Sequence, residues 1–134
     1  MIFLDTSAIY ALADRGDPNH GQALAGFRRM LEDGEEVLVH SYVLVESAAL
    51  LQRRLGLDTA MQFLQESQQF RVHWIGAPEH GEAMDLLQDR GKRGLSLVDC
   101  TSFVIMRQYQ LDQALAFDSD FETEGFELYQ ASQS

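Results

Sequence analysis

Short runs of β-forming residues recur along this chain, each separated from the next by a stretch with helical apolar spacing. That alternation leaves few folds open beyond an α/β domain. Met1 to Leu4 is apolar and strand-like. After the turn signal DRGDPN, residues 20–32 place Leu24, Phe27 and Leu31 at helical spacing, with Asn19 as cap and Gly34 as stop. EVLVH (36–40) reads as a second strand, followed by a helix from about Tyr42 to Leu55 that Gly56 ends. Asp58 is placed to cap another helix through Gln69, and RVHWI (71–75) reads as a third strand. Pro78 suits the first turn of a helix that stops at Gly91. Ser96 opens a further helix through about Tyr109, and ALAF (114–117) and FELY (126–129) complete the strands. With no internal repeat, linker or low-complexity segment, the expectation is one domain over residues 1–134. Its core should be a mostly parallel sheet of about five short strands, with helices on both faces.

Composition narrows the classes. A chain of 134 residues, 46% of them hydrophobic, can bury a core without disulfides or a structural metal. No apolar run is long enough to span a membrane. The segment MIFLDTSAIYALADRGD lacks a basic start and carries Asp5 inside its apolar stretch, so it does not read as a signal peptide, and the cytoplasm is the expected compartment. Lone Cys100 has no disulfide partner, and no Cys/His cluster suggests zinc. A net charge of -11 repels polyanions on average, so any nucleic-acid role must rest on a local basic patch, bound metal or both.

Several acidic positions draw attention, each with an ordinary structural explanation. Asp5 follows IFL and precedes TSAIYALA, where it can cap a helix. Asp99 lies three after Ser96, the spacing of a capping box. Asp118 and Asp120 flank Ser119 after ALAF, where an Asx-turn is common. Glu46 has Tyr42, Val43, Ala49 and Leu50 at helical spacing and no Lys or Arg three or four residues away, so it reads as a carboxylate on an apolar face, costly to bury. Taken together, Asp5 and Asp118 end strands while Glu46 and Asp99 lie early in helices, and ligands of open α/β sheets collect at that carboxyl edge. Oxygen-only ligation suits a hard ion such as Mg²⁺ or Mn²⁺. Unrelated capping and surface acids remain the alternative.

The segments FLDTSAIYALAD, YVLVESAALLQRRLG, GLSLVDCTSFVIMRQYQL and ALAFDSDFETEGFELY, in this order, resemble the successive motifs of the PIN-domain ribonucleases, most of all the VapC-type toxins of type II toxin–antitoxin systems. The resemblance covers nearly the whole chain. It implies a three-layer α/β/α sandwich and a metal-dependent endoribonuclease that hydrolyses RNA phosphodiester bonds with Mg²⁺ or Mn²⁺. By the same resemblance, Asp5, Glu46, Asp99 and Asp118 match the catalytic metal-site acids and Asp120 a nearby one. Thr6 would be a hydroxyl that orients a ligand or water, or else only a helix-start hydroxyl. A homodimer and a cognate antitoxin are also implied.

Arg90, Lys92 and Arg93 surround a glycine-rich turn that leads to Asp99, which favours contact with substrate, whereas Arg53 and Arg54 read as helix C-terminal charge. His20, His40, His73 and His80 show no ligand spacing, and Trp74 and Phe103 read as core. Ser7, Ser102 and Cys100 are nucleophiles by residue type alone, with no His/Asp arrangement to activate them. Apolar surface on the helices around residues 20–32 and 42–69 is a candidate dimer or antitoxin interface. Three other readings remain open: an RNA-processing PIN nuclease without an antitoxin, a catalytically silent PIN-like binding module, and a haloacid-dehalogenase-like phosphatase. The last wants an Asp two residues after the nucleophile, where this chain has Ser7.

Overall fold

The computed structural model describes residues 1–130. Its strands are β1 (Ile2–Leu4), β2 (Val37–His40), β3 (Arg71–His73), β4 (Gln113–Leu115) and β5 (Glu127–Leu128), paired in parallel in the order β3-β2-β1-β4-β5. The helices are α1 (Thr6–Ala13), α2 (His20–Glu32), α3 (Ser41–Leu55), α4 (Leu57–Glu66), α5 (Ala77–Arg90), α6 (Leu97–Gln108) and α7 (Asp120–Thr123). From β1 the chain steps through β2 to β3 in one direction, then crosses back to β4 and β5 in the other. Right-handed crossovers therefore put α1 to α4 on one face and α5 to α7 on the opposite face. The packing of α1 on α2 and α3, of α3 on α4, and of α5 on α6 agrees with this division. The expected α/β/α sandwich with a five-stranded parallel sheet is the observed fold.

The reversal of direction falls between β1 and β4, and it determines where a cleft opens. Loops leaving the carboxyl ends of these two strands diverge to opposite faces, so a crevice forms between them. Strands β1, β2 and β4 are apolar and largely buried because the sheet is covered on both sides, with Phe3, Leu38, Val39 and Ala114 fully enclosed. Phe103 of α6 and Phe121 of α7 pack edge to face beneath the far side, 5.1 Å between ring centroids.

Some local expectations are corrected. Trp74 is not core: β3 ends at His73, and the indole is 69% exposed just past this edge strand. Leu31 is also exposed, because α2 turns its small residues Ala23 and Gly26, with Met30, towards the core. A Cβ on Gly26 would sit 3.0 Å from a methyl of Leu115, so any larger residue there would require the buried Leu115 side chain to give by a few tenths of an ångström. Asp58 lies inside the first turn of α4, whose cap position is held by Gly56 at φ 99°, and the residues after Glu66 form a 3₁₀ turn, Ser67–Gln69. Asn19 stands at the cap position of α2 without a side-chain cap bond.

His40, which showed no ligand spacing in the sequence, has a structural role in the fold. It is buried at the end of β2, and Nδ1 accepts from the backbone N–H groups of Tyr42 and Val43 (3.2 and 3.3 Å), capping α3. The ring proton is thereby assigned to Nε2, which donates to Ser102 Oγ at 2.8 Å, while that hydroxyl donates to the Val98 carbonyl at 3.1 Å. Burial holds the imidazole neutral by lowering its pKa to about 3. A depressed histidine contributes stability that is complete above the unfolded pKa of about 6.5 and is lost as pH falls below it. We therefore expect His40→Asn, which can still cap α3, to cost stability near neutral pH. The deficit relative to the parent should shrink by about 2 kcal/mol between about pH 7 and about pH 5, as urea titrations across that range would reveal.

Candidate metal centre

Acids from three segments gather where β1 and β4 end: Asp5 after β1, Asp99 at the start of α6, and Asp118 and Asp120 after β4. Asp5 immediately follows β1, and its backbone N–H donates to the Leu115 carbonyl of β4 at 3.1 Å. Its carboxylate caps α1 through Oδ2, which accepts from the Ser7 N–H (3.1 Å) and the Ser7 hydroxyl (2.6 Å). The same hydroxyl accepts from the Phe117 N–H at 3.0 Å, so one side chain fixes Asp5 and the loop leaving β4 together. Both bonds fall on Oδ2, and Oδ1 takes no part in this clamp.

Asp99 sits in the first turn of α6 in the expected capping box: Ser96 Oγ accepts from its N–H (3.1 Å) and its Oδ2 accepts from the Ser96 N–H (3.0 Å). Asp118 forms the expected Asx-turn, Oδ1 accepting from the Asp120 N–H at 2.9 Å. Capping and turn roles thus hold these acids in place without using up all their oxygens. One carboxylate oxygen from each of Asp99, Asp118 and Asp120 lies within 4.8 Å of the other two, the only such group among the described residues. Oxygens that share an ion at about 2.0–2.6 Å can be no farther apart than roughly this, so spacing and donor chemistry fit a hard divalent cation.

Electrostatics binds Asp5 to the same group. Its pKa rises from 3.8 to about 6, first through burial and then through the charges of Asp99 and Asp118, against the lowering effect of the Ser7 bonds. Asp118 is also raised, by burial first and then by Asp120 and Asp99, offset in part by the Asp120 N–H. Carboxylates crowded in this way favour a proton or a cation in their midst.

Glu46 stands apart. It is exposed, so the expected burial cost does not arise. Helix α3 buries Val43, Leu44, Ser47 and Leu51, and Glu46 lies on the flank beside exposed Val45 and Ala49. Its neighbour Ser47 donates to the Thr6 hydroxyl at 3.3 Å, which anchors Thr6 to α3 beside Asp5. Of the basic turn, Arg90 is bound to Glu124 through Nε (2.7 Å) and Nη2 (3.0 Å) and to Asp89 through Nη1 (2.8 Å). Lys92 Nζ donates to Asp120 Oδ1 at 2.8 Å. Arg93 is exposed on the same turn, with no ion pair among the described residues. Arg54, at the end of α3, lies 5.3 Å from the Tyr10 ring centroid. Sequence reasoning missed Ser7 as the clamp on Asp5: the residue type suggested a nucleophile, and only its hydrogen bonds show a positioning role. The spacing Asp5-x-Ser7 at a helix start was the available signal, since a hydroxyl two residues after a capping acid can turn back to it.

The PIN-domain family model matches residues 2–126. The chain belongs to the PIN-domain family. It is 37% identical over 128 residues to the 23S rRNA-specific endonuclease VapC20 of Mycobacterium tuberculosis, covering 94% of this chain and 95% of that protein. The crystal structure of Mycobacterium tuberculosis VapC20, described as a sarcin-ricin loop cleaving toxin, superposes with a TM-score of 0.85 at 34% identity, covering 97% of this PIN domain and 99% of that chain. The structure of FitAcB from Neisseria gonorrhoeae superposes with a TM-score of 0.67 at 16% identity over 96% of each chain, a likeness of fold alone.

The raised pKa of Asp5 has a definite sign for stability. Without a cation the native state holds its proton more tightly than the unfolded chain, so stability falls as pH rises from about 4 to about 6 and the penalty is complete above that. Asp5→Asn should therefore make the cation-free protein more stable near pH 7.5, by up to about 3 kcal/mol, with the difference vanishing below about pH 4. Thermal melts in EDTA test this. Millimolar Mg²⁺ or Mn²⁺ should reverse the order by stabilising only the parent.

Proposed function

We propose that this chain is a VapC-like endoribonuclease that hydrolyses RNA phosphodiester bonds with Mg²⁺ or Mn²⁺ at the β1–β4 crevice. The observation that carries this is the convergence of Asp99, Asp118 and Asp120 beside buried Asp5 at the point where strand order reverses. In this reading Asp5, Asp99 and Asp118 hold the ion. Glu46 completes the site from α3, through water or on substrate binding, and Thr6 orients a water. When bound, a divalent cation supplies Lewis-acid charge at the scissile phosphate and acidifies a water. Ser7 keeps Asp5 in one rotamer, so the carboxylate is preorganised and need not reorient as charge develops. No protein nucleophile is required: Cys100 and Ser102 are buried, and the His40 Nε2 that meets Ser102 Oγ carries the ring proton and donates it, so it does not act as a base there. With Arg90 and Lys92 already paired, Arg93 is the residue of the basic turn free to meet a substrate phosphate.

The likeness to VapC20 makes ribosomal RNA the first substrate to offer. Incubation with 23S rRNA and Mg²⁺ or Mn²⁺ should give discrete fragments, and EDTA should abolish them. Asp5→Asn and Asp99→Asn should each slow cleavage by at least about 100-fold, the scale of removing a preorganised electrostatic stabiliser. Intact rRNA in every reaction, with no heat of Mn²⁺ binding, would overturn the catalytic reading in favour of a silent binding module.

A cognate antitoxin and a second copy of the chain complete the proposal. A groove of about 490 Å³ between α1, α2 and α4, in which Leu12, Leu24, Phe27, Phe63 and Phe70 are joined by Arg15, His20, Gln62 and Glu66, offers a mixed apolar and polar seat for a partner segment. Leu31, Val45, Leu57 and Met61 are exposed on the helices expected to carry interfaces. Purification from the native host should recover the chain with a small partner protein. Recovery only as a free chain would favour an RNA-processing nuclease without an antitoxin.

A further inference from the structure

We propose that Trp74 is a stacking platform for an unpaired base of the RNA, on the same sheet edge as the acidic crevice. This rests on the ribonuclease reading above and names the kind of RNA it takes: one with a splayed base, as in a loop or bulge, and not a continuous duplex. A single exposed apolar side chain needs no function of its own. Trp74 differs in residue type, in position and in how it is mounted. It is the chain's one tryptophan, and among the large hydrophobic side chains exposed on the described residues it is the one aromatic. All five strands run parallel, so their carboxyl ends share the edge at which Asp5 lies. The pairings Phe3–Leu38 and Leu38–Arg71 put Asp5, His40 and His73 level with one another. With β2 alone between β1 and β3, His73 lies about 10 Å from Asp5 along the sheet, and Trp74 is the next residue.

The backbone is fixed on both sides of Trp74 while the indole faces solvent. Before it, His73 is joined to the Tyr109 hydroxyl at 2.8 Å and to the Glu79 carboxylate. After it, Ile75 packs on the core and its N–H donates to Ser41 Oγ at 2.9 Å. Ser41 opens α3, and two turns on Ser47 donates to Thr6 beside Asp5, so one helix braces both the Trp74 segment and the crevice. A ring carried on such a backbone has little freedom left to lose on binding. Charge favours stacking as the source of affinity. At -11 the chain gains little from counterion release, whereas the π-face of a base can be held without a cation. Because the side chain is exposed, its replacement leaves the core intact.

The test uses the lone tryptophan as its own probe. The full-length Asp5→Asn protein in Mg²⁺ is titrated with a short unpaired RNA oligonucleotide, then with the same strand annealed to its complement. The unpaired strand should quench the indole emission and the duplex should not. In cleavage of 23S rRNA by the otherwise unaltered chain, Trp74→Ala should raise KM about tenfold, the scale of one lost base stack. Its kcat should stay within about twofold, since the stack is made equally before and during the reaction, and Trp74→Phe should recover most of the loss. Active parent protein with no quenching, or with the KM of Trp74→Ala unchanged, overturns the proposal alone. Emission that ignores RNA but shifts to the blue as the protein is concentrated also overturns it, assigning Trp74 to contact between copies of the chain. A parent that cuts no RNA sinks the ribonuclease reading and the proposal with it.

Discussion

The hydroxyl of Ser7 bridges the two central strands where they part. It donates to Asp5 at the end of β1 and accepts from Phe117 beyond the end of β4, so one side chain bonded in both directions ties the two strand ends together at the base of the crevice. A carboxylate with almost no exposure is expensive to ionise, and the two bonds from Ser7 offset only part of that cost. Asp99 and Asp118 add repulsion to it. Acids crowded in this way favour a proton or a cation among them, which is what the proposed function requires of this crevice.

The opposite wall depends on a second acid. Glu124 lies between Arg90 and Arg107, and its pKa is held down at about 2, chiefly by the Arg90 bond. Charge-assisted bonds from two guanidinium groups are strong and directional, so the turn after α7 is fixed against α5 and α6. A four-residue helix has little stability of its own. Asp120, its first residue, owes its place to this clamp, to the Lys92 pair and to Phe121, which is buried against Phe3 and Phe103. The acidic total charge and the proposed RNA chemistry are reconciled locally: most basic residues near the crevice neutralise acids there, leaving little cationic surface to attract nucleic acid without selection.

The alternation of apolar runs and helical spacing made the architecture legible, because strands covered on both faces must be apolar throughout and crossover helices need one apolar side. The Ser96–Asp99 capping box and the Asp118 turn were legible for the same reason, since each is built from residues close in sequence. Errors came where a local pattern had to stand for packing. Trp74 continued a β-like run that the sheet edge does not continue, and Leu31 kept the helical spacing of half-buried Leu24 and Phe27 but falls on the exposed margin of α2. Glu46 was judged by its helical neighbours, when what matters is which side of α3 meets the core.

What the sequence by itself determined is the set of acids, their places at strand ends and helix starts, and the family to which their order belongs. Which acids lie within reach of one another, which are paired with a lysine or an arginine, and that Ser7 is a clamp were decided only by the fold. Those relations join residues 28, 34 or 110 positions apart. Propensity and periodicity act over a few residues, whereas a hydrogen bond or a Coulomb interaction depends on distance in space, and that distance exists only once the strands have paired and their order has reversed.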